Sequence, residues 1–289
     1  MLLELSIGDS YGCGFEFTPK DFVLQNNDLT QYHAHPKHGL DLGQYTDDTQ
    51  MSLAITEALL LTVQNSQNKW SPLLLANKFV EVFKRDERPG YAKRFQKFLE
   101  SVNSGEEFLE KIVPASDRNG AAMRAIPLGI IKDINKLMEY SNIQSAITHN
   151  TECGINAGLA SALLSHYFIW DLGDKKDVGN FLNLYAPSDD CNWDDDYVGK
   201  VQIQGWRAVQ AAVTAIKRND TLGDLLWDCI NFTGDVDTVG AIALGAASNS
   251  REYIKIIPKI LFDTLENGTY GRNYIIKLDQ KLLSLKGQI

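Results

Sequence analysis

Cysteine is scarce in this sequence. There are four, Cys13, Cys153, Cys191 and Cys229, and their scatter argues against a zinc site and for a reducing compartment. Long apolar runs are also missing, and none approaches the roughly 20 residues needed to cross a bilayer. The start, Met1-Leu2-Leu3-Glu4-Leu5, has neither a basic leader nor a small-residue cleavage site, so no signal peptide is expected. Basic charge is in deficit: the formal net charge of −9 speaks against a broad nucleic-acid surface while leaving room for a local phosphate pocket. No window shows repeated strand alternation, and there is no linker or low-complexity block. What remains is a cytoplasmic, nearly all-α protein whose 289 residues suffice for one domain, 1–289, with a full core.

Within it, Thr46-Asp47-Asp48-Thr49-Gln50-Met51-Ser52 runs into an apolar segment from Leu53 to Val63. Apolar residues recur there at spacings of three and four without Gly or Pro, which is the helical period. Thr46, Asp47 and Asp48 therefore fall at or just before the helix start, where unpaired N–H groups and the helix dipole favour acceptors and negative charge. Taken alone, this is a capped helix with a spare acid. The pattern returns at Gly234-Asp235-Val236-Asp237-Thr238, immediately ahead of a second apolar helix expected over 241–247. Two such hydroxyl-and-carboxylate clusters, each aimed by a helix N-terminus, can form an all-oxygen cage, the ligand set of hard cations such as magnesium or manganese.

Elsewhere the residues leave alternatives open. Ser6 to Phe17 carries Gly8, Gly12 and Gly14, a spacing that lets backbone approach a ligand, but no strand precedes it as a dinucleotide fingerprint requires. Glu16, between Phe15 and Phe17, is either a rim residue or an acid in a desolvated pocket with a raised pKa. His33, His35 and His38 lie in a polar stretch; His-x-His suits a transition metal, yet with no cysteine nearby a solvated loop is expected. Ser71-Pro72 marks an N-cap with proline at the first helical position, opening a helix to about Arg85. A further helix over 91–102 carries Lys93, Arg94 and Lys97 on a solvated face. Ser116 to Gly120 is a polar turn into a small-residue helix, Ala121-Ala122-Met123-Arg124, expected to reach Ile131 with an interruption at Pro127. Exposed N–H groups at such a start suit a phosphate, although no Walker lysine follows and the alanines equally mark tight helix packing. His149, ahead of an apolar helix over 153–170, is either a cap or a cleft residue. Ser188 to Tyr197 is acidic but departs from the EF-hand pattern, and a solvated loop is expected. One more helix, over 204–216, aligns Trp206, Val209, Val213 and Ile216 on one stripe.

Gly8-Asp9-Ser10-Tyr11-Gly12 with Glu16, Thr46-Asp47-Asp48-Thr49-Gln50-Met51, Asn119-Gly120-Ala121-Ala122-Met123-Arg124, Thr148-His149 and Gly234-Asp235-Val236-Asp237-Thr238 occur in this order. In that combination, from about residue 6 to the helix after Thr238, the sequence resembles the ADP-ribosylglycohydrolases, the family that includes dinitrogenase-reductase-activating glycohydrolase. The resemblance implies a single all-α, orthogonally packed helical domain with two divalent cations, Mg2+ or Mn2+, in a central cleft. It implies Thr46, Asp47, Asp48, Asp235, Asp237 and Thr238 as metal ligands, with Glu16 beside them as ligand, gate or acid/base residue. It further assigns the diphosphate to the Ser116–Arg124 loop, through Ser116, Arg118, Asn119, Gly120, Ala121 and Met123, and the ribose to His149. Many relatives carry Gly-Asn-Gly where this chain has Arg118-Asn119-Gly120, so Arg118 either adds a phosphate contact or points away and leaves backbone donors.

The reaction so implied is metal-dependent hydrolysis of the bond between C1″ of ADP-ribose and an acceptor on a protein or small molecule. An oxocarbenium-like transition state is expected. Glu16, Asp47, Asp48 or Asp237 takes the proton of the attacking water, and Glu16 is favoured because its apolar neighbours raise its pKa. Two other classes stay open: a catalytically silent ADP-ribose- or partner-binding protein on the same fold, and a metal-dependent phosphohydrolase acting on the diphosphate. Every implied ligand position holds a competent residue, which ranks catalysis first. Arginine, serine, ester, nucleic-acid and small-molecule conjugates present the same ADP-ribose half, so the rim loops 86–91 and 188–197 are expected to read the acceptor.

Overall fold

A computed structural model of the protein describes residues 1–35, 39–64, 69–88 and 90–289. The expected all-α architecture is what forms. In chain order the helices are α1 (Leu2–Gly12), α2 (Lys20–Asn26), α3 (Asp47–Gln64), α4 (Pro72–Arg85), α5 (Lys93–Ser101), α6 (Gly105–Lys111), α7 (Gly120–Met123), α8 (Ile134–Ala146), α9 (Glu152–Ile169), α10 (Val178–Tyr185), α11 (Gly205–Arg218), α12 (Leu222–Asn231), α13 (Val236–Ala247), α14 (Lys259–Asp263) and α15 (Arg272–Ser284). Short 3-10 turns cover Ile126–Ile130 and Lys175–Asp177. β pairing among the described residues is confined to isolated bridges, and no helix among them is long and apolar enough to cross a membrane.

α13 forms the centre. Every residue from Val236 to Ala247 is buried, and α9 is buried without a break from Ala157 to Ile169. Helices apolar all round belong inside a bundle, and small side chains let neighbours close on every face. α1, α9, α11 and α12 all pack on α13. The contact with α1 is backbone against backbone: a Cβ on Gly8 would lie 2.4 Å from the Gly240 carbonyl oxygen, and one on Gly12 would lie 2.4 Å from the Asp237 Cα. Of the glycines expected to admit a ligand, Gly14 faces the His33 backbone, while Gly8 and Gly12 thus admit a helix. This approach brings α1's only aspartate, Asp9, beside the first turn of α13.

Helix starts follow side-chain chemistry. Ser71 accepts the Leu74 N–H and Pro72 opens α4; Thr151 accepts the Gly154 N–H and opens α9. Two expected boundaries move. α13 begins at Val236, so Asp237 and Thr238 lie inside its first turn rather than ahead of it. The helix expected from 121 to 131 is instead the single turn α7 followed by the 3-10 turn. Pro127 lacks an N–H and disfavours helical geometry in the residue before it, so the α ladder ends early.

Candidate active site

The site lies where α1, α3 and α13 meet. Asp9, Asp48 and Asp237, all buried, each offer an oxygen within 4.8 Å of the others, and Glu16, Asp235 and Asp237 form a second such group. Asp237 belongs to both, so two oxygen-lined positions adjoin through one carboxylate. Asp48 Oδ1 is buried with no hydrogen-bond donor among the described residues. Thr46 gives its hydroxyl hydrogen to Asp9 Oδ1 at 2.7 Å, which leaves the lone pairs of Thr46 Oγ1 facing away from Asp9. Thr238 Oγ1 accepts from Asn119 Nδ2 at 2.8 Å, and the same amide reaches Asp235 Oδ2 at 3.1 Å.

Burial and mutual repulsion dominate the electrostatics. Burial first, then Asp237 and Asp47, push Glu16 up to about 9. Burial, Asp237 and Asp9 push Asp47 up to about 8. Asp48 and Asp235 also rise well above the carboxylate range, with burial the leading cause and Asp237 next. Acids crowded this closely in a poorly solvated setting are costly unless protonated or neutralised by a cation. Hard oxygen donors, an orphaned carboxylate oxygen and the absence of thiolate or imidazole from the two acid groups fit a divalent cation such as Mg2+ or Mn2+.

Glu16 enters from the segment after α1. Phe17 N–H donates to the Gly234 carbonyl at 2.7 Å, which ties Glu16 next to Asp235. His35 Nε2 donates to the Glu16 carbonyl at 2.7 Å, and the His33 ring packs on Phe15. These two histidines do not form the solvated loop expected of them: His35 is buried, and it holds the backbone that presents Glu16. His38 lies outside the described residues. Glu16 and Asp47 are partly exposed, whereas Asp48, Asp235 and Asp237 are buried.

Isolated bridges pair Ala115 with His149, Arg118 with Gln204 and Val201 with Gly234. In the expected phosphate loop, Arg118 N–H already donates to Ser116 Oγ at 3.2 Å, and Asn119 N–H donates to the Ile203 carbonyl at 3.0 Å. These two N–H groups are therefore already taken. The Arg118 side chain is exposed, while Ala121 and Met123 are buried in the helix packing. His149 is not the cap of α9, which is Thr151. Its imidazole lies against Gly120, where a Cβ would fall 2.8 Å from His149 Cε1 and 3.1 Å from Nε2.

In the 86–91 rim loop, Asp86 and Arg88 are firmly seated. Arg88 pairs with Asp86 and Glu266 and lies 3.5 Å above the Tyr45 ring, and Gln50 Nε2 donates to the Asp86 carbonyl at 2.6 Å. Gly90 comes so close that a Cβ would lie 3.2 Å from Asp47 Oδ1. In the 188–197 loop Asp189, Asp190, Asp195 and Asp196 are solvent-exposed, as expected, but Trp193 and Tyr197 are buried.

Asp9 is a member of the site that its motif alone does not single out. A lone acid amid small and apolar residues on a wholly buried helix face was the available signal, since such a group needs dedicated donors.

A family model described as ADP-ribosylglycohydrolase matches residues 1–286. The ADP-ribosyl-[dinitrogen reductase] glycohydrolase of Rhodospirillum rubrum is 27% identical over 83% of this chain and 81% of that protein. The ADP-ribosylarginine hydrolase Tri1 of Pseudomonas putida is 23% identical over 84% of this chain and 67% of its own length. Among solved structures, an ADP-ribosylglycohydrolase-related protein complex superposes with a TM-score of 0.75 at 21% identity, covering 99% of this chain and 96% of that one, and so shares the fold. With a match that runs nearly end to end and a shared helical architecture, the chain belongs to the ADP-ribosylglycohydrolase family, enzymes of ADP-ribosyl hydrolysis.

Proposed function

We propose that the protein hydrolyses the C1″ glycosidic bond joining ADP-ribose to an acceptor on a protein or small molecule, releasing ADP-ribose, with two divalent cations held in the cleft. The observation that carries this reading is the pair of acid groups sharing Asp237. Thr46, Asp47, Asp48 and Asp237 would hold one ion, and Asp235, Asp237 and Thr238, with Glu16 beside them, the other. When bound, Mg2+ or Mn2+ there supplies a lowered pKa for bound water and an anchor for ribose hydroxyls.

The chain's own residues do the rest. Glu16 reaches solvent and stands beside Asp235 and Asp237, so its carboxylate can take a proton from water and return it to the leaving group. Asp47 is likewise partly exposed. Asn119 fixes Asp235 and Thr238 through its amide. Gly120 and the residues after it, with Ser116 and Arg118 at the rim, border the space assigned to the diphosphate, and His149 faces the ribose side.

Release of free ADP-ribose from an arginine-ADP-ribosylated protein tests this, run with Mg2+, with Mn2+, with chelator, and with Asp47→Ala and Asp237→Ala variants. Chelator-sensitive release lost in both variants supports the reading. AMP as product points to attack on the diphosphate instead, and ADP-ribose binding without release points to another acceptor linkage or to a silent binding protein.

A further inference from the structure

His149 is held by a chain of hydrogen bonds that begins on a buried cation. Arg124 is fully enclosed and has no carboxylate partner among the described residues: its Nε donates to Gln144 Oε1 at 2.7 Å, and its Nη2 donates to the Gln144 carbonyl at 2.7 Å and to Thr148 Oγ1 at 2.8 Å. Its guanidinium also lies 4.6 Å from the centre of the Phe79 ring. Gln144 is fixed in turn, since its Nε2 donates to the Ala121 carbonyl at 3.1 Å and to Ser145 Oγ at 2.8 Å. Thr148 Oγ1 then meets His149 Nδ1 at 2.6 Å.

The direction of that last bond follows from counting hydrogens. Arginine can only donate, so one lone pair of Thr148 Oγ1 is occupied by Arg124. If Nδ1 carried a hydrogen, the second lone pair would be occupied too, and the threonine's own hydrogen would have no acceptor among the described residues. A buried hydroxyl left in that state is costly. With Nδ1 bare, the hydroxyl donates to it and every group is satisfied. The imidazole hydrogen then sits on Nε2, at the edge that Gly120 leaves uncovered for want of a side chain. Protonating the ring would add a second charge beside Arg124 and remove the acceptor that Thr148 needs. Burial, with Arg124 adding to it, accordingly pushes His149 down to about 3, while Arg124 itself, lowered by burial to about 9, stays charged at neutral pH.

We propose that Arg124 and Thr148 are positioning residues that lock His149 as the neutral imidazole with its hydrogen on Nε2, a fixed donor to an oxygen of bound ADP-ribose. The ligand half of this statement rests on the hydrolase reading above; the tautomer half does not. A neutral donor of fixed direction suits a hydroxyl or phosphate oxygen at any working pH, which an imidazole free to exchange tautomers does not.

The test is long-range 1H–15N correlation NMR of the imidazoles in the full-length protein without ligand, with His149 assigned by the signal lost in His149→Gln. The expected spectrum has a pyridine-like Nδ1 and a pyrrole-like Nε2 for His149, unchanged from pH 6 to pH 8. Thr148→Val, which keeps the volume and removes the hydroxyl, should shift both nitrogens toward a mixed-tautomer average, and Thr148→Ser should restore them. Titration calorimetry with ADP-ribose as probe should show binding about fivefold to tenfold weaker in Thr148→Val and near wild type in Thr148→Ser. A protonated Nδ1 in the wild type overturns the proposal, as does a Thr148→Val protein whose spectrum and affinity are both unaltered. Absence of hydrolysis in the wild type with a pyridine-like Nδ1 intact would count against the proposed reaction and leave the lock standing.

Discussion

Asp9 on α1 takes both the N–H of Thr49, at 2.9 Å, and its hydroxyl, at 2.5 Å, so a carboxylate from one helix caps the first turn of another. Thr46 adds its own N–H and hydroxyl to the same group. These are the donors that a helix start leaves unpaired, and a charged acceptor there is worth more than a neutral one. Asp9→Asn, nearly the same size, should cost about 2 kcal/mol, the scale of a hydrogen bond to a charged group. Thermal denaturation at pH 7.5 with Mg2+ present is the check. Mg2+ affinity should fall as well, because Thr46 Oγ1 would no longer be held with its lone pairs turned from Asp9. Unchanged melting and unchanged affinity would mean the cap is incidental.

The pH dependence of the metal-free protein has a definite sign. Glu16, raised from 4.5 to about 9, and Asp47, raised from 3.8 to about 8, hold protons in the native state that the unfolded chain has released. Stability is therefore lost as pH rises from about 4 toward 9. His149 works the other way, since it is lowered from 6.5 to about 3 and disfavours the native state as pH falls through that range. Above pH 6.5 the histidine effect is gone and the carboxylate effect continues. In chelator the melting temperature should fall from pH 6.5 to about 9, and excess Mg2+ should flatten the slope by binding the ionised acids. A flat profile in chelator would contradict the crowding of charge described for the site.

The helical architecture was legible because its signals are local. Three-and-four periodicity marked α3, and Ser71-Pro72 marked the start of α4. The two acid clusters were legible as repeated motifs, and the fold brings Asp48 and Asp237 together. Other features depend on packing between distant segments. Nothing near Asp9 in sequence says that its partners are Thr46 and Thr49, and nothing near His35 says that it will hold the Glu16 carbonyl. In the 116–124 loop, likewise, the N–H of Asn119 is taken by Ile203, a residue 84 positions on.

Asp237 should be the residue whose loss is felt at both positions. It belongs to both acid groups, while Asp48 and Asp235 each belong to one. Titration with Mn2+ should give two ions per wild-type chain and one for Asp48→Asn or Asp235→Asn, whereas Asp237→Asn should bind neither ion tightly. If Asp237→Asn kept one ion at wild-type affinity, the shared-ligand arrangement would be wrong.

Gly12 provides a steric test of the same geometry from outside the acid set. A Cβ there would lie 2.4 Å from the Asp237 Cα and 2.7 Å from its nitrogen, and these are backbone atoms that cannot rotate aside. Gly12→Ala must therefore push α1 and α13 apart, straining a contact buried along the length of α13. Overpacking of this kind costs about 1–3 kcal/mol. It should also cost activity, because the displaced segment carries Asp237 and Thr238, whose oxygens need placement to within a fraction of an ångström. Gly268→Ala is the control: a Cβ there meets nothing within 4 Å, so it should leave both melting and turnover unchanged. If Gly12→Ala melts lower yet hydrolyses at the wild-type rate, the α1–α13 contact supports the fold without setting the position of Asp237. Loss of both, with Gly268→Ala unaffected, ties the closeness of these two helices to the chemistry between them.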